Sequence, residues 1–194
     1  MATHATAYEE STFTKVLDLG GRPFIFFVIV VPHFVLLLAH VMNSIMLVNF
    51  MHVMCGALWT GIDLFLGFVV GPILGQLEPE RRADVFRRLI PKMTFLLPVL
   101  AGVTISSGFM MAQRMWTLDT IGPWAIAALA ITAVLVVQGF GWLLRNEIRI
   151  FRQLVAKTPD VEKITRLGMQ NARLAGIQGV FQVAIIFVMA NLRF

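Results

Sequence analysis

Two long apolar segments follow one another near the start of the chain. From Pro23 to Leu77 there is no Lys, Arg or Glu, and the run ends at Glu78. A helix that crosses the hydrocarbon core of a bilayer needs about 20 predominantly apolar residues. The run is long enough for two such helices, and the polar residues between 42 and 49 offer the place to turn back. We centre that turn near Met46.

Three further apolar windows follow, and each can form a spanning helix. We therefore predict an all-α integral membrane helical bundle with five transmembrane helices and a four-helix core, in a single domain of residues 1–194. A charged helix that begins at Glu78 should end at Pro91. The predicted segments are a cytoplasmic N-terminal segment at 1–22, spans near 24–45, 46–76, 93–113, 123–144 and 173–192, and a cytoplasmic basic hairpin at 145–172.

Composition and charge support this class. The chain is 58% hydrophobic and only 14% charged, with a mean hydropathy of +0.79. All of the 16 Lys and Arg residues except Arg114 and Arg193 lie in 1–22, 77–92 or 145–173, which a five-span model places on one side. By the positive-inside rule that side is the cytoplasm. The basic charge thus indicates topology and not nucleic-acid binding, and we expect a bacterial inner membrane protein with a cytoplasmic N-terminus.

The ionisable residues inside the apolar run are the candidates for function. Such groups are costly in hydrocarbon and usually face a bundle interior, a cofactor or a conduction path. Imidazole is a ligand for haem iron and copper. The candidates are His33, His40, His52, Cys55 and Asp63.

Helical geometry groups these candidates. His52, Trp59 and Asp63 are spaced seven and eleven residues apart, so they share one helix face. His33 and His40 share a face of the preceding helix, and a turn centred near residue 46 would place His40 and His52 at similar depth. Two imidazoles at one depth are what a membrane haem or metal site needs, so His52 and His40 are the predicted iron ligands and His33 the reserve.

The residues around His52 form a recognisable pattern. The segment from His52 through Trp59 to Gly61 has the form H-x6-W-x-G and is followed by Gly71-Pro72. It resembles the signature helix of the superfamily that contains copper-resistance protein D and the HemJ-type protoporphyrinogen oxidases, mainly over residues 51–76. The resemblance implies that His52 is the helix histidine associated with haem b or with copper handling in that superfamily.

The predicted function is therefore an integral membrane b-type haem-binding protein with a redox or electron-transfer role. Arg114 could equally pair with a haem propionate or extend to a lipid phosphate. If the protein is an enzyme, it is a membrane oxidoreductase. We expect the lipid bilayer, a membrane redox partner or a quinone, and other subunits of a homo- or hetero-oligomer as its partners. Asp63 could serve a proton path to the redox site or bond within the bundle.

Two alternatives stay open. Thioether and thiolate ligands select Cu(I), so Met51, Met54 and Cys55 together with the histidines could form a copper-handling site. Methionine is also an ordinary filler of apolar gaps. The second alternative is a non-catalytic structural subunit whose histidines only bond within the bundle.

Overall fold

Helices and short turns make up the part of the chain that the computed structural model describes, residues 12–115 and 122–192. The α-helices in chain order are α1 (Thr12–Gly20), α2 (Arg22–Val41), α3 (Ile45–Phe65), α4 (Gly71–Gly75), α5 (Pro79–Met115), α6 (Pro123–Gln138), α7 (Leu144–Leu154) and α8 (Val161–Ala190). Two π-helical turns join consecutive helices: π1 (Leu66–Val70) links α3 to α4, and π2 (Gly139–Leu143) links α6 to α7. The all-α class is confirmed.

Five helical stretches in the described part are long and apolar enough to cross a membrane. The second consists of α3, π1 and α4, and the fourth consists of α6, π2 and α7. Their bounds are Arg22–Val41, Ile45–Gly75, Pro79–Arg114, Pro123–Leu154 and Val161–Ala190. The prediction of an all-α bundle with five helices able to span a membrane is therefore confirmed. The second and fourth spans each contain a π-helical turn.

The turn between α2 and α3 lies at residues 42–44, earlier than the expected centre near residue 46. Asn43 adopts a left-handed conformation with φ of 52°, which asparagine tolerates better than most residues. The next residue, Ser44, caps α3, because its Oγ accepts a hydrogen bond from the Leu47 backbone N–H at 3.3 Å. The polar residues of the apolar run thus supply both the reversal and the helix start.

The prediction that the charged helix ends at Pro91 is wrong. α5 continues through Pro91 and Pro98 as one helix to Met115. Each proline removes one backbone hydrogen bond, but Pro91 is fully buried and helix packing outweighs that local loss. At the start of the helix the Arg82 guanidinium donates to the backbone carbonyls of Leu74, Gly75 and Leu77 at 2.7–3.1 Å. These bonds supply donors to the C-terminal carbonyls of α4 and tie the short turn to α5.

α8 is the most buried span and contacts most of the other helices. It runs antiparallel to α3, and the two backbones come very close where π1 passes α8. A Cβ added to Gly67 would lie 2.2 Å from the Cα of Gly176, and one added to Gly71 would lie 3.4 Å from the Ala172 Cβ. Gly75, by contrast, is exposed, and a Cβ added there would make only an ordinary contact with the Met169 Cε at 3.8 Å. Two of the three regularly spaced glycines therefore form the packing seam, because membrane helices associate through close packing.

Replacing Gly67 by Ala should destabilise the bundle, because the new methyl group would overlap the α8 backbone and force the two helices apart. Overpacking of this kind costs about 1–3 kcal/mol. The matched control is Gly61→Ala on the same span, where a Cβ meets nothing within 4 Å. Unfolding in detergent, followed by circular dichroism, should show a lower midpoint for Gly67→Ala and an unchanged or higher one for Gly61→Ala. Equal midpoints for the two variants would mean that this seam is not tightly packed.

Candidate functional site

His52 lies at the interface of α3 and α5. Its Nδ1 is 2.8 Å from the backbone oxygen of Thr104 and 3.5 Å from the Ser107 Oγ. A carbonyl oxygen can only accept, so Nδ1 carries the proton and donates it. Nε2 is then the nitrogen with the free lone pair, and within the described residues it makes no hydrogen bond.

A glycine on α5 makes room for the His52 ring. A Cβ added to Gly108 would lie 2.8 Å from the His52 Cε1, so any side chain there would displace the imidazole. Gly56 lies one turn further along α3, and a Cβ added to it would lie 3.3 Å from the Thr104 Cγ2. The small residues bring α3 and α5 together, and the close approach fixes the orientation of the imidazole.

The histidines of α2 do not join His52. His33 is exposed, and its Nδ1 bonds the Ile29 carbonyl of its own helix at 2.7 Å. His40 is also exposed and lies one residue before the end of α2. His52 lies seven residues inside α3, so at 1.5 Å rise per residue it is roughly 10 Å deeper than His40. The matched depth inferred from the sequence depended on a later turn, and the structure does not bring the pair together.

The predicted copper ligands lie on different faces of α3. Met51 and Cys55 are buried in the apolar core between α3, α5, α6 and α8, whereas Met54 is exposed. Within residues 12–115 and 122–192, no three His, Cys, Asp or Glu side chains are grouped closely enough to hold a metal ion. Arg114 is exposed at the end of α5.

Asp63 forms the second polar site, in the interior of the bundle. The residue is completely buried, and its Oδ2 accepts hydrogen bonds from the side-chain amides of Gln178 at 3.0 Å and Gln182 at 2.9 Å. The Trp59 indole approaches the same carboxyl group. The shared face of Gln178 and Gln182 on α8 is what the four-residue spacing predicts, and a buried carboxyl group needs such partners.

Glu147 on α7 is a second buried carboxyl group. It is 5% exposed, and Thr94 of α5 faces its carboxyl. Sequence reasoning missed Glu147 because it lies among Arg145, Arg149 and Arg152, in a segment interpreted as a cytoplasmic basic hairpin. The signal that could have found it is the helical period: Asn146, Ile150 and Phe151 are buried beside it, so one face of this charged helix turns inward.

Buried amides fix π2 against α8. Gln138, just before π2, donates to the Leu174 carbonyl at 2.9 Å. Asn171 donates to the carbonyl of Leu143, the last residue of π2, at 3.1 Å and accepts from the Asn146 amide at 3.0 Å. A π-helical turn disturbs the regular hydrogen-bond ladder, and these side chains link both of its ends to the neighbouring helix.

Two small cavities meet at Glu147. One, of about 40 Å³, lies between α5 and the α6–π2–α7 span and is lined by Trp59 and Gln178 as well as Glu147. The other, of about 30 Å³, is lined by Phe86 and Asn171 together with Glu147. A water molecule needs a cavity volume of about 10–15 Å³ and polar groups to bind it. Each cavity has this volume and a polar lining residue, Glu147, but is too small for an organic cofactor.

Comparison with known proteins found no match to a family model, a curated protein or a solved structure. The resemblance to the copper-resistance protein D and HemJ-type superfamily therefore depends on the H-x6-W-x-G pattern at residues 52–61, and the cofactor that it implies stays a prediction.

Proposed function

We propose that this protein is a b-type haem protein of the membrane with a redox or electron-transfer role, and that His52 is an axial ligand of the haem iron. The observation that supports the proposal is the anchored imidazole. Histidines that ligate metals usually donate their other ring N–H to a carbonyl or carboxylate, which fixes both tautomer and orientation. The bond from Nδ1 to the Thr104 carbonyl gives His52 this arrangement and leaves Nε2 for a ligand.

The residues around His52 fit this role in two respects. The Gly108 position holds the ring in place without covering it, and the half-buried setting between α3 and α5 keeps the ring in an apolar environment. Bound haem iron would supply one-electron redox chemistry. The histidines of α2 are not positioned as a second ligand, so we assign one axial position to His52 and leave the other unassigned.

The surroundings suit a membrane electron carrier. The described part of the chain consists almost entirely of spanning helices and short turns, so a redox partner would be another membrane protein or a quinone. We propose the bacterial inner membrane as its location and a place in a larger assembly. If the protein catalyses a reaction, it is an oxidoreductase.

Copper handling is the second candidate, and one observation favours it. Met51 and Cys55 lie one turn apart on the same buried face of α3, and thioether and thiolate are the ligands that Cu(I) prefers. The exposed position of Met54 and the separation of His40 from His52 count against a single site built from all of them.

The haem proposal is tested by the visible spectrum of protein produced with ample haem. Wild-type protein should show a Soret band and reducible α and β bands, and His52→Ala should lose haem, because the anchored ligand is gone. His33→Ala and His40→Ala should keep the wild-type spectrum. Gly108→Ala should perturb the spectrum by displacing the ring, whereas Gly102→Ala, where a Cβ meets nothing within 4 Å, serves as the matched control on the same helix.

Two results would contradict the assignment: wild-type protein without Soret absorbance, or His52→Ala with the full spectrum. In the first case, stoichiometric Cu(I) that is lost in Met51→Ala and Cys55→Ala variants would select copper handling. Protein that holds neither haem nor copper would select the structural subunit.

The proposed orientation places the N-terminus in the cytoplasm, because 1–22, 77–92 and 145–173 carry most of the basic residues. In a Cys55→Ser background, a cysteine at Asn43 should react with an impermeant maleimide added outside intact cells. A cysteine at Lys157 should react only after the membrane is permeabilised. Asn43 and Lys157 both lie in exposed turns, so differences in burial do not bias the comparison. The reverse pattern would invert the topology.

A further inference from the structure

Two buried carboxyl groups lie at successive depths in the bundle. Asp63 is 0% exposed and Glu147 is 5% exposed. The ion pairs among the described residues, Arg22 with Asp18 and Arg87 with Asp84, involve neither of them. A carboxyl group without a cation in an apolar interior strongly favours its protonated form. Each of the two can therefore take up a proton in place of an ion-pair partner.

Three buried oxygens of the Asp63 cluster have no hydrogen bond within the described residues. Both glutamine amides donate to the same atom, Asp63 Oδ2, and the unpaired oxygens are Asp63 Oδ1 and the side-chain oxygens of Gln178 and Gln182, although the Trp59 indole lies beside the carboxyl group. All three oxygens are buried, and leaving a buried acceptor unpaired is costly. A proton on Oδ1 and water beside the glutamine oxygens would supply what is missing.

One of these unpaired oxygens is directed toward the larger cavity. The Gln178 Oε1 lies 3.8 Å from where a Cβ on Gly139 would be, and Gly139 and Gln178 both line that cavity. Glu147 lines it as well. Water in this space can therefore reach both the Glu147 carboxyl and the amide that bonds Asp63.

The second cavity extends from Glu147 toward the end of the bundle that carries the α4–α5 and α7–α8 turns. Its lining includes Phe86 near the start of α5 and Gly168 near the start of α8. Glu147 is seven residues from the end of α7, or about 10 Å. The order from this end inward is thus the smaller cavity, Glu147, the larger cavity, Gln178 and Asp63.

Both halves of the bundle contain a buried apolar cluster. The cluster toward the α7–α8 turn includes Leu74, Phe86 and Ile164, and the smaller cavity lies within it, lined by Leu74 and Phe86 as well as Glu147. The cluster beyond Trp59 includes Met51, Val103 and Val188. The two cavities therefore extend from Asp63 toward the α7–α8 turn.

We propose that Asp63 is the inner end of a proton path, in which Glu147 and water in the two cavities carry protons from the α7–α8 turn to the middle of the membrane. This inference does not depend on haem at His52. In the transfer step the Glu147 O–H bond breaks and its proton passes to a water molecule in the larger cavity. Gln178 and Trp59 line this cavity and lie next to Asp63, so their side chains must part before the water gives one of its own protons to Asp63 Oδ1, where a new O–H bond forms. The negative charge moves from Asp63 to Glu147.

The neighbours of the two carboxyl groups suit this exchange. α8 presents Gln178 and Gln182 to Asp63, and α5 presents Thr94 to Glu147. Asp63 also lies near enough for its negative charge to act on the Glu147 carboxyl. Because like charges repel, both cannot be ionised together without cost. At least one of the two carboxyl groups therefore carries a proton, and loss of one proton from the pair allows the other to move between them.

The test is infrared difference spectroscopy of protein reconstituted in lipid, with the pH changed by rapid mixing. The C=O stretch of a protonated carboxylic acid should appear and disappear with pH, and labelling the aspartates with ¹³C in the wild-type chain should shift the band that belongs to Asp63. Asp63→Asn should remove this band. Glu147→Gln should keep it but slow its appearance by about a hundredfold, the lower end of what a positioned proton-transfer group contributes.

The matched control is Glu162→Gln, an exposed carboxylate at the start of α8, which should leave the rate unchanged. Wild-type protein without a pH-dependent aspartate band, or Glu147→Gln with the wild-type rate, would overturn the proposal. A band that responds to sodium at constant pH would instead make Asp63 a cation site. The same experiment on haem-free protein separates this result from the fate of the haem proposal.

Discussion

A carboxyl group inside a membrane bundle must be hydrogen bonded, and this requirement at Asp63 sets how α3 and α8 meet. Gln178 and Gln182 can both reach Asp63 Oδ2 only at one rotation and one register of the two antiparallel helices. One turn beyond Asp63, in π1, Gly67 lies against Gly176, which is about one turn back along α8. Polar pairing and close packing therefore specify the same alignment, which is the consistency expected of a well-defined fold.

Both π-helical turns lie against α8, next to the buried carboxyl groups. π1 begins three residues after Asp63, and π2 ends four residues before Glu147. Such turns occur often at functional sites, because they re-aim side chains without ending the helix. Here the glycine contact at π1 and the amide bonds from Gln138 and Asn171 at π2 hold them in place. α8 thus organises the interior of the bundle, although it carries neither carboxyl group.

Composition and apolar length predicted the membrane class and the five helices, because hydrocarbon imposes these properties directly. The shared face of Gln178 and Gln182 also followed from helical spacing. Helical spacing did not predict which helix packs against Gly67 and Gly71, since that depends on the tertiary contact with Gly176 of α8. Glu147 was missed because surrounding charge hid the inward face of α7. The pairing of His40 with His52 depended on a turn position, and a shift of a few residues places the two at different depths.

The alignment of α3 with α8 depends most directly on the bonds between Asp63 and the α8 amides, and a double-mutant cycle measures their strength. Unfolding free energies in detergent would be compared for wild type, Asp63→Leu, Gln182→Leu and the double variant, with the exposed Gln170→Leu replacing Gln182→Leu in a control cycle. The two changes should interact by about 1–3 kcal/mol, since either one alone leaves a buried polar group unpaired. Additive effects within about 0.5 kcal/mol, as expected of independent sites and of the control cycle, would show that these bonds do not set the alignment.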